Sequence, residues 1–193
     1  SEPMLVVDYL ATGRNAEGET VPVLCGYQGG KQISIEAEAG GIKYDSGSNP
    51  PYKGTALESL TRGSIVQLRK TSAGEIENIV VYNLEKGEDN PRYEYSSTGD
   101  AELTKNFYFS KECLASFGVV VKKLDWGIVV NNTADGAEEW NRIIPLADSI
   151  QPILYDRKSD KVMLGDFGDI SVGDEIFLNF YNGVLKTSVV YKG

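Results

Sequence analysis

The sequence predicts an all-β protein: two tandem small β-barrel or sandwich-like domains with little helix, divided near residue 95 into 1–95 and 96–193. Three observations predict it. Short apolar runs alternate with polar residues at the two-residue period of a strand with one buried face. Turn residues break these runs at roughly 8–12-residue intervals, the rhythm of sandwiches and small barrels. One pattern also occurs twice, near the end of each half, and an internal repeat takes precedence over any local reading.

The repeat is legible residue by residue. Leu60-Thr-Arg-Gly63-Ser-Ile-Val-Gln-Leu68 is followed by Gly74-Glu-Ile-Glu-Asn-Ile-Val-Val-Tyr82. Near the end of the chain, Ile170-Ser-Val-Gly173-Asp-Glu-Ile-Phe-Leu178 is followed by Gly183-Val-Leu-Lys-Thr-Ser-Val-Val-Tyr191. Both read as an apolar residue, two more, glycine, a strand, a glycine turn and a strand ending Val-Val-Tyr. Gly74 to Tyr82 and Gly183 to Tyr191 have the same spacing.

The elements follow in order. Val21, Val23 and Cys25 alternate, then Ile33, Ile35 and Ala37 after the Gly29-Gly30 turn. Ala56 to Leu60 reads as a single helical turn. Gly63 and Gly173 each sit just before a strand, a common place for a turn or bulge. Ser72-Ala73-Gly74 reads as a three-residue hairpin loop with glycine at the left-handed position, and Asn182-Gly183 as a tight two-residue turn. The polar run Glu85 to Pro91 is placed at the linker. Ser110-Lys-Glu-Cys-Leu-Ala-Ser-Phe117 reads as a short helix capped by Ser110. Val119 and Val121, Ile128 and Val130, and Ile144 and Leu146 read as further strands, as does Ile153-Leu-Tyr155 before the turn Asp156 to Asp160. Ile176, Leu178 and Phe180 alternate with Phe177, Asn179 and Tyr181, as in a strand buried on one face.

Composition narrows the function classes. With 41% hydrophobic and 24% charged residues the chain is globular, and each half can bury a modest core. No stretch approaches the roughly 20 apolar residues that span a bilayer. The chain starts at Ser1 without a leader pattern, and Gly193 follows an apolar strand directly. The expectation is a mature product or an excised fragment. Asp and Glu number 28 against 19 Lys and Arg, a net charge of −9. Such a surface repels nucleic-acid phosphates and anionic membranes. There are no histidines, which removes the commonest general base and metal ligand and any Ser-His-Asp or Cys-His arrangement. Cys25 and Cys113 fit no zinc spacing and read as two buried thiols or one bridge between the halves. No enzyme is expected.

The cadence of an apolar-x-x-Gly-Asp start, a strand, Asn-Gly and a strand ending Val-Val-Tyr resembles tandem β-modules of Firmicutes surface proteins that accompany S-layer homology repeats. Residues 118–191 carry the likeness in Gly118-Val-Val-Val, Trp126-Gly-Ile-Val-Val130, Ile153-Leu-Tyr-Asp156 and Ile170-Ser-Val-Gly-Asp174. The first half follows the pattern loosely, with Ser64 where the second has Asp174. The wall-anchoring repeat itself does not occur in this sequence. The resemblance implies an extracellular spacer or lattice-forming role at the bacterial cell surface, its partners being copies of itself or neighbouring surface domains. The alternative is a carbohydrate- or cell-wall-binding module; a third reading is a virion or appendage subunit.

Candidate site residues are few. Gly26-Tyr-Gln-Gly-Gly-Lys31-Gln is out of register for a phosphate loop and reads as a glycine turn. Asp156 with Asp160, and Asp166 with Asp169, match no Asp-x-Asp-x-Asp-Gly loop but offer a weak calcium site if the turns join in space. Paired carboxylates for glycoside hydrolysis lack a cleft in halves this small. Trp126, ahead of an apolar strand, is expected in the core. Trp140, in the polar run Gly136 to Arg142, and Tyr155 are the expected partner or glycan contacts.

Overall fold

The computed structural model describes residues 3–38, 43–44, 60–86, 106–110, 113–133, 136–146 and 151–193. Its strands are β1 (Leu5–Arg14), β2 (Thr20–Gln28), β3 (Lys31–Glu36), β4 (Lys43–Tyr44), β5 (Ile65–Lys70), β6 (Ile76–Asn83) and β7 (Asn106–Ser110). They continue as β8 (Cys113–Lys123), β9 (Gly127–Asn131), β10 (Arg142–Pro145), β11 (Ile153–Asp156), β12 (Lys161–Leu164), β13 (Glu175–Tyr181) and β14 (Val184–Lys192). Helical structure among the described residues is limited to single turns at Glu138–Trp140 and Phe167–Asp169. The protein is all-β, as expected.

Each half supplies one sheet. The first runs β3-β2-β1-β5-β6-β4 and the second β10-β9-β8-β13-β14-β11-β12, with β7 also on β8. Each order has two free ends, so neither sheet closes among the described residues. The sandwich-like alternative holds and the barrel does not. The orders correspond strand for strand: β1, β2, β3, β4, β5 and β6 occupy the places of β8, β9, β10, β11, β13 and β14. The last pairing is parallel in both, β4 on β6 and β11 on β14. The bulges correspond too, falling between Val7 and Tyr9 in β1 and between Val120 and Lys122 in β8.

The glycine turns explain why these strands meet as they do. Gly63 has φ +87° and Gly173 +94°, conformations that a side chain disfavours. Each turn closes from its fourth residue to its first, Ser64 N to Thr61 O and Asp174 N to Ser171 O. Each then grips the bulged strand. Gly63 N donates to Val7 O while Val7 N donates to Ser64 O, and Gly173 N donates to Val120 O while Val120 N donates to Asp174 O. The hairpin turns hold as read: Asn182 and Gly183 both have positive φ, as does Gly74.

Side chains on the two faces of each sheet enter different cores. Leu5, Val7, Leu24, Val66, Ile76, Ile79 and Val81 pack among themselves on one face of the first sheet. Val120, Ile128, Ile170, Ile176, Leu178 and Val190 do so on the second. The opposite faces meet in a third core, where Met4, Val6, Ile65 and Tyr82 pack against Phe117, Ile153, Tyr155, Phe177, Val189 and Tyr191. Burying apolar surface at roughly 25 cal/mol per Å2 makes this shared core the main attraction between the halves.

Three local expectations are corrected. Residues 113–117, expected in a helix, belong to strand β8, and they pair with Phe177 to Tyr181. Ala115 and Phe117 enter the shared core at the two-residue period, so tertiary pairing overrides the capping signal. Val119 and Val121 are not the inward set of this strand; Val120 is. Strand β13 is buried on both faces, because Phe177 reaches the shared core while Ile176 and Leu178 reach the second sheet's own. Strand β1 had no counterpart among the expected strands. Residues 56–59 of the expected helical turn, most of the linker run and the divide near residue 95 lie outside the described residues.

Candidate functional site: the polar seam and the exposed edge

Where the sheets meet, the shared core is bordered by a polar seam drawn from both halves. Its pivot is the Gly63 turn. The Tyr155 ring covers that turn closely enough that a Cβ added to Gly63 would lie 2.7 Å from a ring atom. Tyr191 OH donates to Gly63 O at 3.0 Å, and the two tyrosine rings meet edge to face at 6.1 Å. Asn83 Nδ2 donates to Tyr191 OH at 2.9 Å and to Glu85 Oε2 at 3.1 Å.

Glu85 lies in the seam, its side chain only 9% exposed, although the sequence groups it with a solvated linker. Arg157 Nε donates to its Oε1 at 2.7 Å, and Arg157 Nη2 lies 3.5 Å from Glu175. The guanidinium also stands 4.8 Å from the Tyr191 ring centre. Burial opposes the charge on Arg157, but the hydrogen bond and charge of Glu85, with Glu175 behind it, hold its pKa above the ordinary value. The backbone of Glu85 is tied down as well, its N donating to Ser64 Oγ and its O accepting from Thr61 Oγ1.

A second set forms around Asp160, whose backbone has φ +53°. Tyr155 OH donates to Asp160 Oδ1 at 2.7 Å, and Arg62 Nη1 donates to Oδ2 at 2.9 Å. Lys86 Nζ stands 3.6 Å away. Arg62 Nε continues the chain to Asp8 Oδ1 at 2.9 Å. The Tyr155 hydroxyl, then the Lys86 and Arg62 charges, lower the Asp160 pKa. Burial and the Asp160 hydrogen bond raise that of Tyr155, and the hydrogen bond to Asp8 leads the causes that raise that of Arg62.

The expected calcium carboxylates are used separately. Asp156 Oδ1 accepts from the backbone N of Lys158 and Ser159, which lowers its pKa. Asp160 belongs to the seam. Asp166 and Asp169 cap a single helical turn, with Asp166 N donating to Asp169 Oδ2 at 2.7 Å. Among the described residues no three His, Cys, Asp or Glu side chains converge, so the four aspartates form no joint site. Each is held by its own turn or by cations of the other half.

The aromatic expectations divide. Tyr155 is fully buried and contacts only the protein's own interior, so it offers nothing to a glycan or an external partner. Trp140 is 49% exposed, with the Arg142 guanidinium 5.7 Å from its ring centre. Trp126, expected in the core, is also 49% exposed. It lies just before β9, where Leu146 N reaches its carbonyl at the open end of the second sheet. Cys25 is a free, buried thiol within 3.4 Å of Ser34 Oγ; the Cys113 side chain lies outside the described residues. Among the described residues no helix is long and apolar enough to cross a membrane.

The seam escaped the sequence reading because its partners are remote. Arg62 and Asp160 are 98 residues apart and Glu85 and Arg157 are 72. The available signal was Arg62 inside the repeat, where the second copy has Val172. Comparison with known proteins supplies no relative: no family model, no curated protein and no solved structure matches the chain.

Proposed function

We propose that this chain is a non-enzymatic structural or spacer module of a bacterial cell-surface, S-layer-type protein. It acts outside the cell as one rigid two-sheet block, built from two copies of one β-module, and contacts copies of itself or neighbouring domains. One observation carries this reading: the most elaborate polar constellation of the described residues, around Glu85, Arg157, Asp160 and Tyr191, spends its bonds between the halves and joins them along the border of their shared core. A partly exposed ionic network of this kind adds little net stability but ties its elements at one relative position. That suits a spacer. The matching strand orders, bulges and glycine turns support the duplication.

A second reading, a carbohydrate- or wall-binding module, is favoured by exposed Trp140 beside Arg142. Light scattering over a concentration series, alongside binding to insoluble cell-wall polysaccharide, separates the two. The structural reading expects mass to grow with concentration and no saturable polysaccharide binding. A monomer at every concentration that saturates on polysaccharide overturns it.

A further inference from the structure

Asn182 alone among the chain's asparagines is followed by glycine. The two residues form the exposed tip of the β13–β14 hairpin, with φ of +49° and +75°. Other asparagines are held by their amides. Asn15 Oδ1 accepts from the backbone N of Glu17 and Glu19, and Asn131 Nδ2 donates to Ala137 O and Asn141 Oδ1. Asn83 Nδ2 serves the seam. Among the described residues, neither the Asn182 amide nor the Gly183 N–H has a hydrogen-bond partner. Gly74, at the corresponding turn of the first half, donates its N–H to Thr71 O. Nothing lies within 4 Å of a Cβ added to Gly183, and Val184 beyond it is 56% exposed.

An unhindered amide beside an unhindered backbone nitrogen permits one reaction that needs only water. The Gly183 nitrogen loses its proton and attacks Asn182 Cγ; the N–Cγ bond forms, the Cγ–Nδ2 bond breaks, and ammonia leaves. Water then opens the five-membered imide. Cleavage of the new N–Cγ bond gives aspartate, whereas cleavage at the backbone carbonyl leaves the chain running through Cγ as isoaspartate. A side chain on residue 183 would crowd the attacking nitrogen, and glycine has none. Ring closure requires the turn to rotate out of its positive-φ form, and little in the hairpin resists that. A register shift between Asn179 and Phe180 leaves only Phe180–Leu185 and Tyr181–Val184 paired beyond it. The first half has no equivalent, because Ser72-Ala73-Gly74 stands at its turn.

We propose that Asn182 is a site of spontaneous deamidation, which slowly converts the β13–β14 turn, and not its counterpart in the first half, to aspartate or isoaspartate. The change adds one negative charge to a chain of net charge −9. Isoaspartate also lengthens by one atom the backbone of a two-residue turn that sets the register of the hairpin. The proposal is independent of the structural-module reading. The test is incubation of the native full chain for weeks at physiological temperature and mildly alkaline pH. Its control is Asn182→Asp, which tolerates the same turn conformation and lacks the reacting amide. Intact mass, isoelectric focusing and peptide mapping read the outcome. The expected result is a gain of about 1 Da with a one-charge acidic shift, mapped to residue 182 and missing from Asn182→Asp. An amide retained at residue 182 overturns the proposal; if that amide reacts once the chain is unfolded in urea, the folded turn is what protects it. An equal mass gain in Asn182→Asp also overturns it, because the reacting asparagine then lies elsewhere.

Discussion

Replacing Gly63 and Gly173 by alanine, one at a time, isolates what the contact between the sheets contributes. The two glycines sit at corresponding points of corresponding turns, with φ of +87° and +94° and the same pair of backbone bonds to a bulged strand. An alanine forced into the left-handed region costs about 1–2 kcal/mol at either site. Their surroundings differ. Nothing lies within 4 Å of a Cβ at Gly173, whereas at Gly63 it meets three Tyr155 ring atoms at 2.7–2.9 Å. That ring is fully buried between its own sheet and the other. It cannot swing aside, so overpacking adds about 1–3 kcal/mol at Gly63 alone. Urea denaturation measures both variants on the same scale. The expectation is a loss of about 1–2 kcal/mol for Gly173→Ala and about 2–5 kcal/mol for Gly63→Ala. Equal losses would refute the reasoning, because the two sheets would then not press on each other at this turn.

Further outcomes follow from the seam and the surface. Arg157→Ala leaves Glu85 buried without its cation and destabilises the chain by about 2–4 kcal/mol in urea, below the fully buried figure because Arg157 is 28% exposed. Adding Glu85→Gln recovers part of that loss. Tyr191→Phe removes the bonds to Gly63 O and from Asn83 and costs about 1–3 kcal/mol by the same assay. The Asp160 pKa is lowered in the fold, so its contribution is present above the unfolded value of about 4 and is lost as pH falls through the folded value. Melting temperature measured from pH 7 to pH 3 therefore falls less steeply in the acid limb for Asp160→Asn than for the wild type. Millimolar calcium leaves the melting temperature unchanged, because the four expected aspartates form no joint site; a rise of several degrees would contradict their separate roles.

The β class and the hairpins were legible because their signals are local. Asn182-Gly183 and Gly74 specify positive φ over two or three residues, and the alternation of Val21, Val23 and Cys25 needs only one strand. What escaped depends on distance in the chain. Residues 110–117 carry a cap signal and residues tolerant of helix, but Ser110 closes β7 and residues 113–117 are a strand because they pair with β13 and, over 113–116, with β7. Ile176-Phe177-Leu178 is apolar at three successive positions, the mark of a strand covered on both sides, yet which side meets the other half is set by the packing of two sheets. Tyr155 read as a surface aromatic because Gly63, which it covers, lies 92 residues earlier. Asp160 read as a solvated turn acid because Arg62 and Lys86 belong to the other half. Trp126 stands half-exposed just ahead of β9 and not in the core, a distinction that strand end positions decide and composition does not.

The central claim is that the polar and aromatic chemistry of this chain is committed to holding two sheets as one rigid block. Hydrogen exchange followed peptide by peptide through a urea titration tests it most directly. The account predicts that peptides containing β1 and β6 lose protection at the same urea concentration as those containing β11 and β14, and that Arg157→Ala separates the two midpoints. Separate midpoints in the wild-type chain, with one sheet still protected after the other has opened, would contradict it.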